Sequence, residues 1–166
     1  MRLKDTKWIV TAIFLILLDQ IVKHYVIKGL SQTDSIVIIP HILNFIYVKN
    51  TGAAFSMFSG KTAILGFISI VFCIAVALIW IFKKEKHFLL KLSLMLLFSG
   101  AFANAIDRIF RGYVVDFIET SFIRFPVFNI ADIAITLGTV FLMIYLIFFD
   151  KDKPENIQAE KSGENG

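Results

Sequence analysis

Long apolar runs separated by short polar links organise the chain, and four of them approach the roughly 20 residues that a helix needs to cross a bilayer. They fall at about 8–28, 62–82, 88–107 and 131–149. Between the first and second runs, Ser35-Ile36-Val37-Ile38-Ile39-Pro40-His41-Ile42-Leu43-Asn44-Phe45-Ile46-Tyr47-Val48 is rich in β-branched and aromatic residues and is broken at a proline. That pattern predicts short strands, and 113–118 and 122–128 have the same character. The fold class expected is therefore an all-α membrane bundle of four transmembrane helices with a small extracytoplasmic β-sheet region. Residues 1–150 form one domain, with outer connections at 29–61 and 108–130. The tail, 151–166, is polar with Pro154 and has no core to bury, which predicts disorder on the cytoplasmic side.

Charge placement orients the bundle. Lys83, Lys84, Lys86 and Lys91 crowd the link between the second and third runs, and Arg2, Lys4, Lys7, Lys151 and Lys153 flank the ends. The positive-inside rule makes these regions cytoplasmic and the long connections external. The net charge of +4 is explained by these clusters, so no nucleic-acid partner is implied. Composition agrees with a membrane protein: 57% of residues are hydrophobic, against roughly 45–50% in soluble domains. Asp19 and Lys23 interrupt the first run and no small-residue cleavage site follows it, so it is read as a retained span rather than a signal peptide. The single cysteine, Cys73, lies in an apolar run and excludes a disulfide framework or a cysteine-ligated metal. His24, His41 and His87 form no metal-ligand spacing, and no cofactor is implied.

Polar residues in apolar surroundings mark the candidate chemistry. Asp116 stands in Tyr113-Val114-Val115-Asp116-Phe117-Ile118 and Asp132 in Phe128-Asn129-Ile130-Ala131-Asp132, both near the outer mouth of a span. Lost hydration raises a carboxylate's pKa, and a second carboxylate raises one of the pair further. Such a pair can share one proton, one member taking a proton from water while the other donates to a carbonyl oxygen. A plainer reading makes Asn129 a helix cap and Asp132 a first-turn acid, but leaves Asp116 without a role. Asp19 and Lys23, four apart, are expected to pair inside the bundle, as a structural element or with a direct role in chemistry or ion passage. Gly100, Asn104 and Arg108 share a helical face, with Asp107 beside them; Arg108 can neutralise an aspartate or hold a carbonyl. Lys49-Asn50-Thr51-Gly52-Ala53-Ala54-Phe55 reads as a polar turn with a glycine hinge, either a flap over a cleft or a surface turn.

In order, Asp19-Gln20-x-x-Lys23, Lys49-Asn50-Thr51-Gly52-Ala53-Ala54-Phe55, Asn104-Ala105-Ile106-Asp107-Arg108, Val114-Val115-Asp116-Phe117 and Phe128-Asn129-Ile130-Ala131-Asp132 resemble the lipoprotein signal peptidase (signal peptidase II) family of bacterial membrane aspartyl proteases. The resemblance spans nearly the whole chain. It implies a catalytic dyad of Asp116 and Asp132, with Asn50, Gly52, Asn104, Arg108, Asn129 and Ala131 shaping the site or contacting substrate. It also implies a diacylglyceryl-modified prolipoprotein as substrate, cut just before the modified cysteine. A monomer among the lipids of the bacterial cytoplasmic membrane is expected, with its site near the extracytoplasmic face. Lys49 where arginine is common, Ala103 where glycine is usual and Ile133 where serine is usual depart from the family pattern. Lysine lacks arginine's bidentate fork, so substrate positioning near Lys49 is the function most affected. The rival readings are a small proton-coupled exporter cycling Asp19 and a non-catalytic lipoprotein-binding factor.

Overall fold

The computed structural model describes residues 3–31, 34–52, 60–83 and 87–150, with side chains from Thr6 onward. The apolar runs form α1 (Leu3–Gly29), α2 (Thr62–Phe82), α3 (Phe88–Phe110) and α4 (Ile130–Phe148). All four are long and apolar enough to span a membrane. The two long connections supply β1 (Ser35–Ile39), β2 (Leu43–Asn50) and β3 (Val114–Thr120), an antiparallel sheet in the order β1-β2-β3. The flap segment Ala53–Phe55, Lys84, Lys86 and the tail 151–166 lie outside the described residues.

Position in the bundle explains the differing hydropathy of α2 and α3. α2 has a mean hydropathy of 2.9 with 17% of its span buried, while α3 has 1.7 with 67% buried. A lipid-facing helix must be apolar outward, whereas a central helix meets protein and can carry small and polar residues. α3 accordingly buries Ser93, Ser99, Asn104 and Asp107, and the two serine hydroxyls donate back to the Leu90 and Leu96 carbonyls. Large exposed side chains such as Phe67, Phe82 and Leu137 are the outer, lipid-facing surface.

α3 and α4 pack backbone to backbone through two glycines. A Cβ on Gly100 would collide with the Ala131 carbonyl oxygen and approach the Ile135 Cγ1 to 2.8 Å, and one on Gly138 would sit 3.0 Å from the Leu97 amide nitrogen. Because the Gly100 obstacle is partly backbone, a side-chain rotation does not relieve it. We expect Gly100→Ala to separate α4 from α3 and to destabilise the protein by about 1–3 kcal/mol. The start of α4 should move with it, because Ala131 lies in the first turn of that helix. Thermal unfolding of the purified variant checks this, and an unchanged midpoint would show that the helices tolerate the extra methyl.

The sheet is held to the C-terminal end of α1 by a core of Val26, Leu30, Tyr47, Val115, Phe117 and Ile118. Pro40 breaks β1 from β2 as the sequence suggests, with His41 in a left-handed conformation at φ 64°. β2 carries a bulge: Phe45 faces Ile118 but Val48 faces Asp116, so β2 uses one more residue than β3 over that stretch. The expected strand at 122–128 is a correction. Residues 121–127 are bends and irregular chain, and only Phe128 bridges back to Ile118. Pro126 has no N–H to give a ladder, and the Phe125 amide instead turns back to the Ile123 carbonyl.

Candidate active site

β3 and the start of α4 bring Asp116 and Asp132 to the same end of the bundle, where Asn129 ties them together. Asn129 caps α4: its Oδ1 accepts the Asp132 backbone N–H at 2.9 Å, and the Asp132 carboxylate accepts the Asn129 backbone N–H at 3.1 Å. This reciprocal capping box vindicates the plainer reading of Asp132 as a helix-start residue. It also does more. With its oxygen committed to a backbone donor, Asn129 must turn its Nδ2 outward, and that nitrogen donates to Asp116 Oδ1 at 2.7 Å.

Two further amides are oriented by the same logic. Asn50 Oδ1 accepts the Gly52 N–H at 2.9 Å, so its Nδ2 donates to Asp116 Oδ2 at 2.8 Å. Asn104 Oδ1 accepts from the Lys23 ammonium at 3.0 Å, and lysine can only donate. The Asn104 Nδ2 therefore faces Asp132 Oδ1, at 2.8 Å. Each carboxylate thus receives two N–H donors, and three asparagines supply all four, three from side-chain amides and one from the Asn129 backbone.

Asp116 is 3% exposed. Burial, followed by the nearby Asp132 charge, pushes its carboxyl up to about 6, against the opposing pull of the Asn50 and Asn129 amides and of Lys23. Arg108 reaches across to donate to the Gly52 carbonyl at 3.2 Å, the second of its two expected uses. Its buried Nε has no partner among the described residues. Lys49 is exposed, with its ammonium 5.9 Å and 5.3 Å from the Tyr47 and Tyr113 ring centres. The tyrosine hydroxyls are bonded to each other at 3.0 Å. Ile133 is 40% exposed, and Ala103 is buried with its carbonyl accepting from Gln20.

The Asp19–Lys23 pair is present at 2.8 Å, with both side chains fully buried. It belongs to a larger cluster than spacing reveals. Lys23 also meets Asp107 at 2.8 Å, and Asp107 in turn binds Gln20, Arg111 and the Val115 backbone N–H. Asp19 Oδ1 accepts the Ala131 N–H at 3.1 Å, which gives Ala131 its place: a backbone donor in the first turn of α4. Gln20, Asp107 and Arg111 received no individual role from sequence reasoning. The four-residue step from Asp107 to Arg111 was the available signal for one of these contacts. A cavity of about 810 Å³ lies over Asn44 and 119–126, and Asp116, Asp132 and their asparagine partners are not among its walls.

The chain as a whole has known counterparts. The sequence matches the family profile described as signal peptidase (SPase) II over residues 11–148. A lipoprotein signal peptidase of Lactobacillus johnsonii is 38% identical, the match covering 90% of this chain and 97% of that one. One of Staphylococcus aureus is 37% identical, covering 89% and 91%. A solved bacterial membrane enzyme superposes with a TM-score of 0.83 at 35% identity, over 90% of this chain and 93% of its own. With four membrane-length helices, a three-stranded sheet and the profile match over most of its length, the chain belongs to the signal peptidase II family.

Proposed function

We propose that the protein is an aspartic-type endopeptidase of the bacterial cytoplasmic membrane that removes the signal peptide from prolipoproteins, cutting on the N-terminal side of the diacylglyceryl-modified cysteine. Family membership supports prolipoprotein processing. The observation that carries the catalytic assignment is the Asn129 bridge, which couples Asp116 on β3 to Asp132 on α4 through one side chain. Asp116 and Asp132 share a proton. One takes a proton from water as its oxygen bonds to the scissile carbonyl carbon, while the other protonates the carbonyl oxygen. The tetrahedral species then collapses as a proton passes to the leaving nitrogen. Asn50, Asn104 and Asn129 keep the carboxylates oriented through the cycle without adding charge. Arg108 and Gly52 form one wall, and the Arg108 Nε is available to a substrate carbonyl.

The reading places both termini and the 83–91 link on the cytoplasmic side and the sheet outside, with the protein acting as a monomer on a substrate delivered through the lipid. An exporter cycling Asp19 is disfavoured by geometry. Both Asp19 oxygens are engaged, one by Lys23 and the other by the α4 backbone, so proton exchange there would dismantle the bundle.

The test is cleavage of a lipidated prolipoprotein by the purified protein across pH. A shortened product beginning at the modified cysteine is expected, with a bell-shaped rate profile. The alkaline limb should begin as pH rises through about 6, where Asp116 gives up its proton. The acid limb reflects protonation of the remaining carboxylate. Product cut elsewhere, or a rate that keeps climbing beyond about pH 8, would overturn the shared-proton mechanism.

A further inference from the structure

β3 lies at one edge of the sheet, and its backbone is fastened on either side of Asp116. An edge strand has N–H and C=O groups with no neighbouring strand to meet them, and where they are buried other groups must do so. Val115 is fully buried. Its N–H donates to Asp107 Oδ2 at 3.2 Å, and its carbonyl accepts from Asn129 Nδ2 at 3.4 Å. On the other side of Asp116, the Phe117 N–H donates to the Phe128 carbonyl at 3.0 Å. Phe128 and Asn129 lead directly into α4, so their ties relate Asp116 to Asp132. The Asp107 tie relates it to α3.

The two Asp107 oxygens divide their partners. Oδ1 accepts from Gln20 at 3.1 Å and from Arg111, while Oδ2 accepts from Lys23 at 2.8 Å and from Val115. Lys23 and Gln20 stand on α1, and Arg111 caps the end of α3. The carboxylate is therefore fixed from two helices before it meets the strand. Its negative charge answers the two cations, and what it offers Val115 is an acceptor at a fixed point.

We propose that Asp107 is a positioning residue for the reaction, setting the place of the Asp116 carboxylate by holding the Val115 N–H. This role rests on Asp116 being half of the catalytic dyad. The tie is made to the backbone one residue from Asp116, and misplacing a reacting group by about 1 Å is enough to lose about 10²-fold in rate. The buried charge cluster thus has two outputs: it joins α1 to α3, and through one oxygen it aims a catalytic group.

Two charge-matched double variants isolate the tie. Asp107→Asn with Arg111→Met and Asp107→Leu with Arg111→Met each remove one anion and one cation, leaving Asp19 paired with Lys23. Asparagine keeps an acceptor for Val115, and Gln20, released by Arg111, can turn its carbonyl to the new amide. Leucine keeps the approximate size and accepts nothing. Both variants should unfold at lower temperature, so turnover of a lipidated prolipoprotein is read on the monodisperse fraction of each; alanine replaces leucine if the leucine variant does not fold. The asparagine variant should keep kcat within about threefold of wild type and the leucine variant should lose about 10²-fold, with KM unchanged in both. A merely scaffolding Asp107 would give equal kcat values in the two variants. That result with an active wild type would overturn the positioning role and leave the dyad standing, whereas a wild-type protein that does not cut would overturn the proposed function and this role together.

Discussion

Asp116→Asn and Asp132→Asn are each expected to lower cleavage by at least about 10³-fold, because asparagine can neither take a proton from water nor return it. Each variant should still fold. The amide loses one of the two hydrogen bonds that each carboxylate accepts, a loss of about 1 kcal/mol, while the helix cap and the sheet register remain. The double variant should be scarcely slower than either single one, since residues that act as a unit are strongly non-additive. Single-turnover cleavage of a lipidated prolipoprotein, with circular dichroism to check folding, reads both effects. A folded variant at either position that cuts at near the wild-type rate would remove the dyad. Asp132 would then be a capping residue only, and the costly burial of Asp116 would have no function.

The second large effect lies inside the bundle. Lys23 uses its three N–H bonds on Asp19, Asp107 and Asn104, all within 3.0 Å. Lys23→Met takes the only cation from the buried Asp19 carboxylate and leaves Asp107 with Arg111 alone, and breaking a buried pair costs about 3–5 kcal/mol. Asp19→Asn leaves the ammonium its Asp107 partner, so it should be milder. Both variants should lose folded yield more than they lose turnover per folded molecule, with Lys23→Met the worse. Size-exclusion yield and thermal midpoint measure the first quantity, and specific activity of the monodisperse fraction the second. Normal stability with lost cleavage would move Lys23 from scaffold to chemistry.

These two clusters differ in how far the chain advertises them. The spans are legible because lipid demands continuous apolar length, and Asp19–Lys23 is legible because four residues is one helical step. Asp107 as the other anchor of Lys23 is not, since nothing local ties α3 to α1; that contact exists only once the helices pack. The aspartates stand out because charge among Val115, Phe117 and Ile130 is expensive. The orientation of the three asparagines is hidden for the opposite reason: an amide looks the same in sequence whichever way it faces, and its committed partners are backbone groups or distant side chains. The missing strand at 122–128 shows a composition suited to β structure overruled by one proline and a local turn.

The bulge in β2 settles which chemistry stands beside Asp116. With Val48 opposite Asp116, Asn50 lies opposite Val114 and diagonally across from the aspartate on the same face. Had β2 continued in step from Phe45, Tyr47 would stand opposite Asp116 and Lys49 would occupy the place of Asn50. A permanent cation would then sit against the carboxylate and hold it ionised, leaving no proton to share. One extra residue in the central strand thus works as a selector: it admits a neutral amide to the Asp116 carboxylate and keeps the neighbouring ammonium outside, over the rings of Tyr47 and Tyr113.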